Sequence, residues 1–344
     1  MNPRMWFPLV VTGVCLIAVP PSTTADEPRA SKGIEVTDSD EMIRLVTPSL
    51  EASIRKQGYI TGIAAGSFLD VKTGFRDPGF GLDIIDWIME PGSDEAYRDQ
   101  LDDDLPYNLE ERFHGKARKR CVEGPQMCHG GTVAPEVIRG EDFVAVKTVK
   151  AYTTAAPGKK TGSTWTQTLV FPEGRRYFLS SDRMDCVNSG EELFFRMDMP
   201  GHIKHKRGDT FSEVYLSYHG IIPASEFLEE FAPDAKYLYK RGMNPLPERF
   251  IRAYHLRDPV TGKAGPWLAG MTLNPSDVSE AWCHQRGYVC FIQENGGRPI
   301  RPGESIEAAF VVGYFDSIAE MEEVYDRYAG HSRLAVDRDG WMLK

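Results

Sequence analysis

After Ala25 the chain has no apolar run approaching the ~20 residues that a membrane-spanning helix needs, so the folded part reads as soluble. It contains no G-x-S-x-G elbow, no P-loop and no H-E-x-x-H, which removes the α/β-hydrolase, P-loop nucleotide and zincin readings. None of its acids follows EF-hand spacing. Cysteine is sparse, 6 in 344 residues, and no C-x-x-C pair marks a structural zinc site. Helix-period patterning is scarce as well, confined almost wholly to the end of the chain.

Met1 to Ala25 has the form of a secretory signal. Arg4 gives a positive start, Met5 to Val19 is mostly apolar, and Thr23-Thr24-Ala25 offers a small-residue cleavage site. The formal net charge moves from −10 to −11 on its removal, because Arg4 is the one charged side chain lost. So acidic a protein is a poor partner for nucleic acid or an anionic membrane. The expected location is secreted or periplasmic. Cys121, Cys128, Cys186, Cys283 and Cys290 remain, an odd set that leaves at least one free thiol. Residues 26–40 are polar and read as a flexible leader, and residues 41–344 as a single domain.

The dominant period in that domain is two. Leu193, Phe195, Met197 and Met199 alternate with Glu192, Phe194, Arg196 and Asp198, a half-buried strand that should stop at Pro200-Gly201. Similar runs end near Tyr152, begin at Trp165 and Tyr177, and recur at Val214, Phe250, Tyr288 and Ile306. Gly/Pro turns such as Pro157-Gly158 and Pro172-Glu173-Gly174 separate them. The fold class is therefore all-β, a large antiparallel β-sandwich with a C-terminal helix. That helix is marked by a capping box, Ser317 with Glu320, and by the apolar face of Met321, Val324, Tyr325 and Tyr328. A shorter helix is expected over Ser225 to Glu230.

Two stretches are basic within this acidic chain. Arg112, Lys116, Arg118, Lys119 and Arg120 surround His114, and Lys204, Lys206 and Arg207 surround His202 and His205. Focused positive charge suits an anionic ligand. In the run Trp282-Cys283-His284-Gln285-Arg286-Gly287-Tyr288, an extended chain would put His284, Arg286 and Tyr288 on one face, with Glu294 at the same parity. Base, cation and phenol together suit proton transfer at a charged sugar. The H-x-x-H pair His202/His205 could hold a divalent metal with Asp198 or Asp209, although no third ligand is defined and no cofactor is otherwise implied. Trp165, Trp267, Trp282 and Tyr215 could stack on sugar rings, or else serve the core.

The segment Ile300-Arg301-Pro302-Gly303-Glu304-Ser305-Ile306 through Gly313-Tyr314-Phe315 resembles the closing strands of galactose mutarotase-like proteins, and Gly162-Ser163-Thr164-Trp165-Thr166-Gln167 is compatible with them. That superfamily shares a β-supersandwich and includes sugar epimerases and the sandwich domains of polysaccharide lyases and glycoside hydrolases. The resemblance implies this fold and a carbohydrate, and it implies a base at Glu294. The leading expectation is a polysaccharide lyase acting on an anionic, uronate-containing polysaccharide or oligosaccharide. His202 or His205 would be the base, Tyr288 the acid and Arg286 the carboxylate neutraliser. Arg118, Arg120, His114, Trp165, Arg196, His284, Gln285 and Glu294 would bind substrate. The alternatives are a glycoside hydrolase using Glu294 with Asp198 or Glu213, an epimerase, and a non-catalytic glycan-binding protein.

Overall fold

A computed structural model describes residues 33–101, 105, 118–205 and 209–344. Two large antiparallel sheets dominate it. The back sheet has nine strands, with Thr164–Pro172, Tyr177–Asp185, Ser305–Phe315, Ala264–Thr272 and Phe250–Arg257 running through its middle. The front sheet has seven strands. Its centre runs Lys119–Gly124, Ile84–Pro91, Gly190–Lys204, Tyr288–Ile300 and Val278–Gln285.

Strand parity builds the core. Phe195, Met197 and Met199 point from the front sheet into the space between the sheets, where they join Ile85, Val122, Val289 and Phe291. Val146, Leu169, Phe178, Phe310 and Val312 meet them from the back sheet. The other side of the back sheet carries Val170, Leu179, Met271 and Val311. Met321, Val324 and Tyr325 of the helix Ile318–Tyr328 cover it. The back sheet is thus buried on both faces. The outer face of the front sheet, which that helix does not cover, carries clustered charged groups.

The helix begins as its cap dictates. Ser317 Oγ accepts from the Glu320 amide at 3.1 Å, and Glu320 Oε2 accepts from the Asp316 amide at 2.6 Å. No helix among the described residues is long and apolar enough to cross a membrane. All five described cysteines are free and buried.

Three local expectations change. Glu35–Asp38, inside the span read as a leader, is a strand paired with Met42–Val46, because Ile34 is buried in the core and Val36 packs against it. Ser225 to Glu230 contains only a 3₁₀ turn, Ala224–Phe227, with a single buried anchor in Phe227. The strand from Gly190 does not stop at Pro200-Gly201 but continues to Lys204. It absorbs the break as a register irregularity between Asp198 and His202. Residues 1–25, and with them the signal, lie outside the described residues.

The core makes a direct prediction. Phe178 is fully buried, with its ring 5.6 Å from Phe68 and 5.3 Å from Phe171. Phe178→Ala should cost about 3–5 kcal/mol through lost burial and a residual cavity. Urea unfolding should show the midpoint falling with the slope unchanged.

Candidate functional site

The outer face of the front sheet carries two polar clusters, both set by cross-strand register. In the first, Arg196 lies opposite Glu294, which lies opposite Glu280. Arg196 Nη2 pairs with Glu294 Oε1, and Lys119 Nζ reaches Glu294 Oε2 at 2.5 Å and Glu280 Oε1 at 2.9 Å. Arg196 and Glu294 are each 1% exposed. The Trp282 ring lies 5.0 Å from the Arg196 guanidinium and 4.7 Å from Lys119 Nζ, so both cations also meet its π face. A cavity of about 310 Å³ opens beside this cluster, lined among others by Arg118, Lys119, Lys240, Glu280 and Glu294.

The second cluster centres on His202. Asp198 lies opposite Ile292, whereas His202, four residues on, lies opposite Cys290. Met199, Pro200 and Gly201 therefore face a single partner residue, and the two surplus residues bring Asp198 and His202 into neighbouring positions on the same face. His202 Nδ1 is 3.0 Å from Cys290 Sγ and 3.2 Å from Asp198 Oδ1. The one nitrogen thus faces both the thiol and the buried Asp198 carboxylate. His284 lies across the ladder from Cys290, on the strand Val278–Gln285, and its buried Nδ1 has no hydrogen-bond partner.

Aromatic rings fix the imidazole plane. Phe80 and Tyr288 stand edge-on to His202, each with ring centroids 5.5 Å away. Phe80 is held there because its amide donates to the His202 carbonyl at 3.2 Å and Gly79 bridges to Ile203. A Cβ on Gly79 would collide with that same His202 carbonyl, so only glycine permits the approach. His202 and Tyr288 remain partly exposed, and Lys204 and Arg286 beside them are accessible too. The cluster opens to solvent at this end.

The electrostatics separate the groups. Burial disfavours a charged His202, but the Asp198 charge and hydrogen bonding, together with Asp86, hold its pKa above the ordinary 6.5. His284 is pushed down to about 4, first by burial and then by Arg286. Burial lifts Tyr288 to about 12, with Cys290 and Asp198 adding to the rise and Arg286 opposing it. Asp86 is raised to about 7 by burial and by the Asp198 charge. Cys290 stays a thiol, its pKa raised by burial and then by Asp198.

Of the residues singled out in the sequence, His202, Tyr288, His284, Arg196 and Glu294 do share one face. Arg286 sits in the turn between His284 and Tyr288, within electrostatic reach of both. The others are placed differently. His205 points to the core side, stacked on Phe211 at 3.7 Å with Nδ1 2.8 Å from Thr210 Oγ1, so H-x-x-H does not converge on a metal. Its odd spacing from His202 sends it to the opposite face. Gln285 is internal too, its Nε2 donating to the carbonyls of Phe227 and His205. Trp165 is 2% exposed and donates Nε1–H to Asp182 at 2.6 Å, a core anchor and not a sugar platform. Arg120 donates Nε–H to Glu90 at 2.8 Å. Arg118 is exposed at the mouth of the 310 Å³ cavity. Glu294, with both carboxylate oxygens in ion pairs, has no oxygen left over to act as the base that the resemblance implied. His114, Arg112, Lys116, Lys206 and Arg207 lie outside the described residues.

Sequence reasoning missed Cys290, Asp86, Phe80 and Glu280. The period-two run from Tyr288 to Glu294 does put Cys290 on the Tyr288 face, but its meeting with His202 depends on a pairing 88 residues apart.

Two predictions follow from these placements. Glu294→Ala strips Arg196 of its carboxylate and Lys119 of one of two, and should cost about 3–5 kcal/mol in urea unfolding. His205, buried against Phe211, has its pKa lowered to about 4 by burial, which Asp209 only partly opposes. The unfolded chain then binds more protons between about pH 4 and 6.5, so stability should rise with pH across that window and be lost as pH falls. His205→Gln should flatten this part of a stability–pH profile measured by urea denaturation at each pH.

No protein-family model matches the chain, and no curated protein does. Among solved structures, the α-N-acetylgalactosaminidase NagBb of Bifidobacterium bifidum is 12% identical over 88% of this chain and 39% of its own, with a TM-score of 0.45. A candidate aldose 1-epimerase of Klebsiella pneumoniae subsp. pneumoniae is 9% identical, covering 87% of this chain and 88% of its own at a TM-score of 0.43. The galactose 1-epimerase of Lactobacillus acidophilus is 7% identical, covering 83% and 98% at 0.39. This chain thus spans well under half the length of the first protein and most of the two others. At these identities and TM-scores the likeness is a partial one of chain course and says nothing of what this chain does.

Proposed function

We propose that this chain is an exported carbohydrate-active enzyme, a polysaccharide lyase that cleaves uronate-containing glycans by β-elimination. The observation that carries the reading is the convergence of His202, Tyr288 and Arg286 at the open end of the front sheet, with Asp198 behind the imidazole.

Each group has a part that its surroundings support. With Nδ1 turned to Cys290 and Asp198, the Nε2 side of His202 is the one to take the C5 proton. Arg286 neutralises the sugar carboxylate and so acidifies that proton. As the C4–O bond breaks and the C4=C5 double bond forms, Tyr288 delivers its phenol proton to the leaving oxygen. A phenol pushed up to about 12 stays protonated at neutral pH, which suits an acid. His202 must be neutral to accept a proton, so activity should rise with pH through its elevated pKa.

A second reading has one observation in its favour. Asp86, raised to about 7 beside the Asp198 charge, is the kind of carboxyl that donates a proton in glycoside hydrolysis or anomer exchange. Gln126 and Cys128 occupy its oxygen Oδ1, however, and it is 4% exposed.

Incubation with a panel of uronate polysaccharides should generate ultraviolet-absorbing unsaturated ends. His202→Gln and Tyr288→Phe should each lower kcat/KM by roughly 10²–10⁴ with circular dichroism unchanged. New reducing ends without the unsaturated product would replace the lyase by a hydrolase. Glycan binding without turnover in any preparation would leave a binding protein.

A further inference from the structure

We propose that Asp198, His202 and Cys290 form a transition-metal site, one carboxylate oxygen, one imidazole nitrogen and one thiolate, that takes a divalent ion of the zinc class and blocks proton transfer by His202. The site stands on geometry alone. Only the blocking clause rests on the function proposed above.

The three donor atoms lie within 4.8 Å of one another. His202 Nδ1 is already 3.0 Å from Cys290 Sγ and 3.2 Å from Asp198 Oδ1. A tetrahedral zinc with bonds of roughly 2.0–2.3 Å separates neighbouring ligands by roughly 3.3–3.6 Å, so the two pairs that include His202 Nδ1 need to spread by only a few tenths of an ångström. Asp198 is 2% exposed, and its Oδ1 shares this corner with His202 Nδ1 at 3.2 Å. The independent sign of a ligand is His284 Nδ1, across the ladder from Cys290, which is buried without a hydrogen-bond partner, as buried polar atoms rarely are.

Donor chemistry selects the ion. A thiolate with an imidazole favours zinc, copper or cobalt over the hard magnesium and calcium ions. The two backbone positions that set the tripod, opposite Ile292 and Cys290, belong to paired central strands and not to a loop, so the donors are held before any metal arrives. Binding displaces the Cys290 thiol proton to solvent and holds the neutral His202 as the tautomer with its proton on Nε2, so that Nδ1 presents its lone pair to the ion. The imidazole can then no longer pass a proton between Nε2 and the groups behind it.

Cobalt(II) is the probe. The chelator-treated full chain, titrated with Co²⁺ in the absence of any glycan, should bind one equivalent. It should develop a thiolate-to-cobalt charge-transfer band with intense tetrahedral visible bands, and Zn²⁺ should bleach both. Cys290→Ser should abolish the charge-transfer band and weaken binding at least tenfold. Asp198→Asn and His202→Asn should weaken binding while keeping that band in whatever fraction still binds. Cys186→Ser, whose sulfur contacts the Met184 carbonyl elsewhere in the fold, should leave the titration unchanged. Absence of the band in the unaltered protein, or its survival in Cys290→Ser, would overturn the site. Turnover of whichever glycan proves active should fall on adding one equivalent of Zn²⁺ and return with chelator. Zinc that binds without slowing turnover would overturn the blocking clause while leaving the site intact.

Discussion

Two surplus residues in one strand govern the chemistry of this face. Along an ordinary strand Asp198 and His202 would sit about 13 Å apart, four residues at roughly 3.3 Å each. Because Met199–Gly201 oppose a single residue of the partner strand, the same side chains occupy adjacent same-face positions. Parity is kept, so both still point outward, and the gap closes. The slack is pinned from outside: the chain around Gly79–Gly81 crosses over it, and a Cβ on Gly201 would collide with the Gly81 carbonyl. That same crossing delivers Phe80 to the imidazole edge. The irregularity that looks like a strand terminator in the sequence is thus the device that assembles the cluster.

The neighbouring ion cluster answers a different need. Burying Arg196, Glu294 and Lys119 together is no gain over apolar residues of the same shape, since desolvation consumes most of the Coulomb attraction. What the charges supply is specificity of register. Glu294 can satisfy Arg196 and Lys119 at once only with the strands Lys119–Gly124, Gly190–Lys204 and Tyr288–Ile300 in their observed places. A slip by one residue would send Glu294 to the core side and take from both buried cations the carboxylate they share. The same register sets Cys290 against His202. The first cluster therefore acts as the positional reference for the second.

Much of this was legible in the residues. The alternation of Phe195, Met197 and Met199 with Arg196 and Asp198 assigns the faces correctly, and Ser317 with Glu320 marks the helix start where it occurs. The placing of His284, Tyr288 and Glu294 on one face came from parity as well, whereas Arg286 lies in the turn and His202 joins them only through cross-strand register. The failures have equally local causes. His205 was grouped with His202 because both sit in a basic stretch, yet three residues apart on extended chain means opposite faces. Trp165 has the surface of a sugar platform, but a buried carboxyl at Asp182 meets its indole N–H from across the ladder. Lys119 reads as one of a run of solvated cations until Glu280 and Glu294 arrive from strands more than 150 residues away. Pairings of that range are fixed by tertiary register, which composition and spacing do not encode.

The His202 imidazole has two edges, and the structure uses them differently. The Nδ1 edge faces Asp198 and Cys290 in the interior of the sheet. The other edge belongs to the accessible end, where Tyr288 and Arg286 stand. A carboxylate behind an imidazole raises its basicity and fixes its tautomer, which serves proton transfer. A thiol in the same position adds little to that task, being a weak donor and a weak acceptor. Serine would have filled the space with a stronger hydrogen bond. Cysteine at 290 is therefore better accounted for by the one property serine lacks, a soft anion on deprotonation, than by its support of the imidazole. In the proposed lyase, proton transfer and metal capture would compete for one ring, with the balance between them set by the residue opposite it on the next strand.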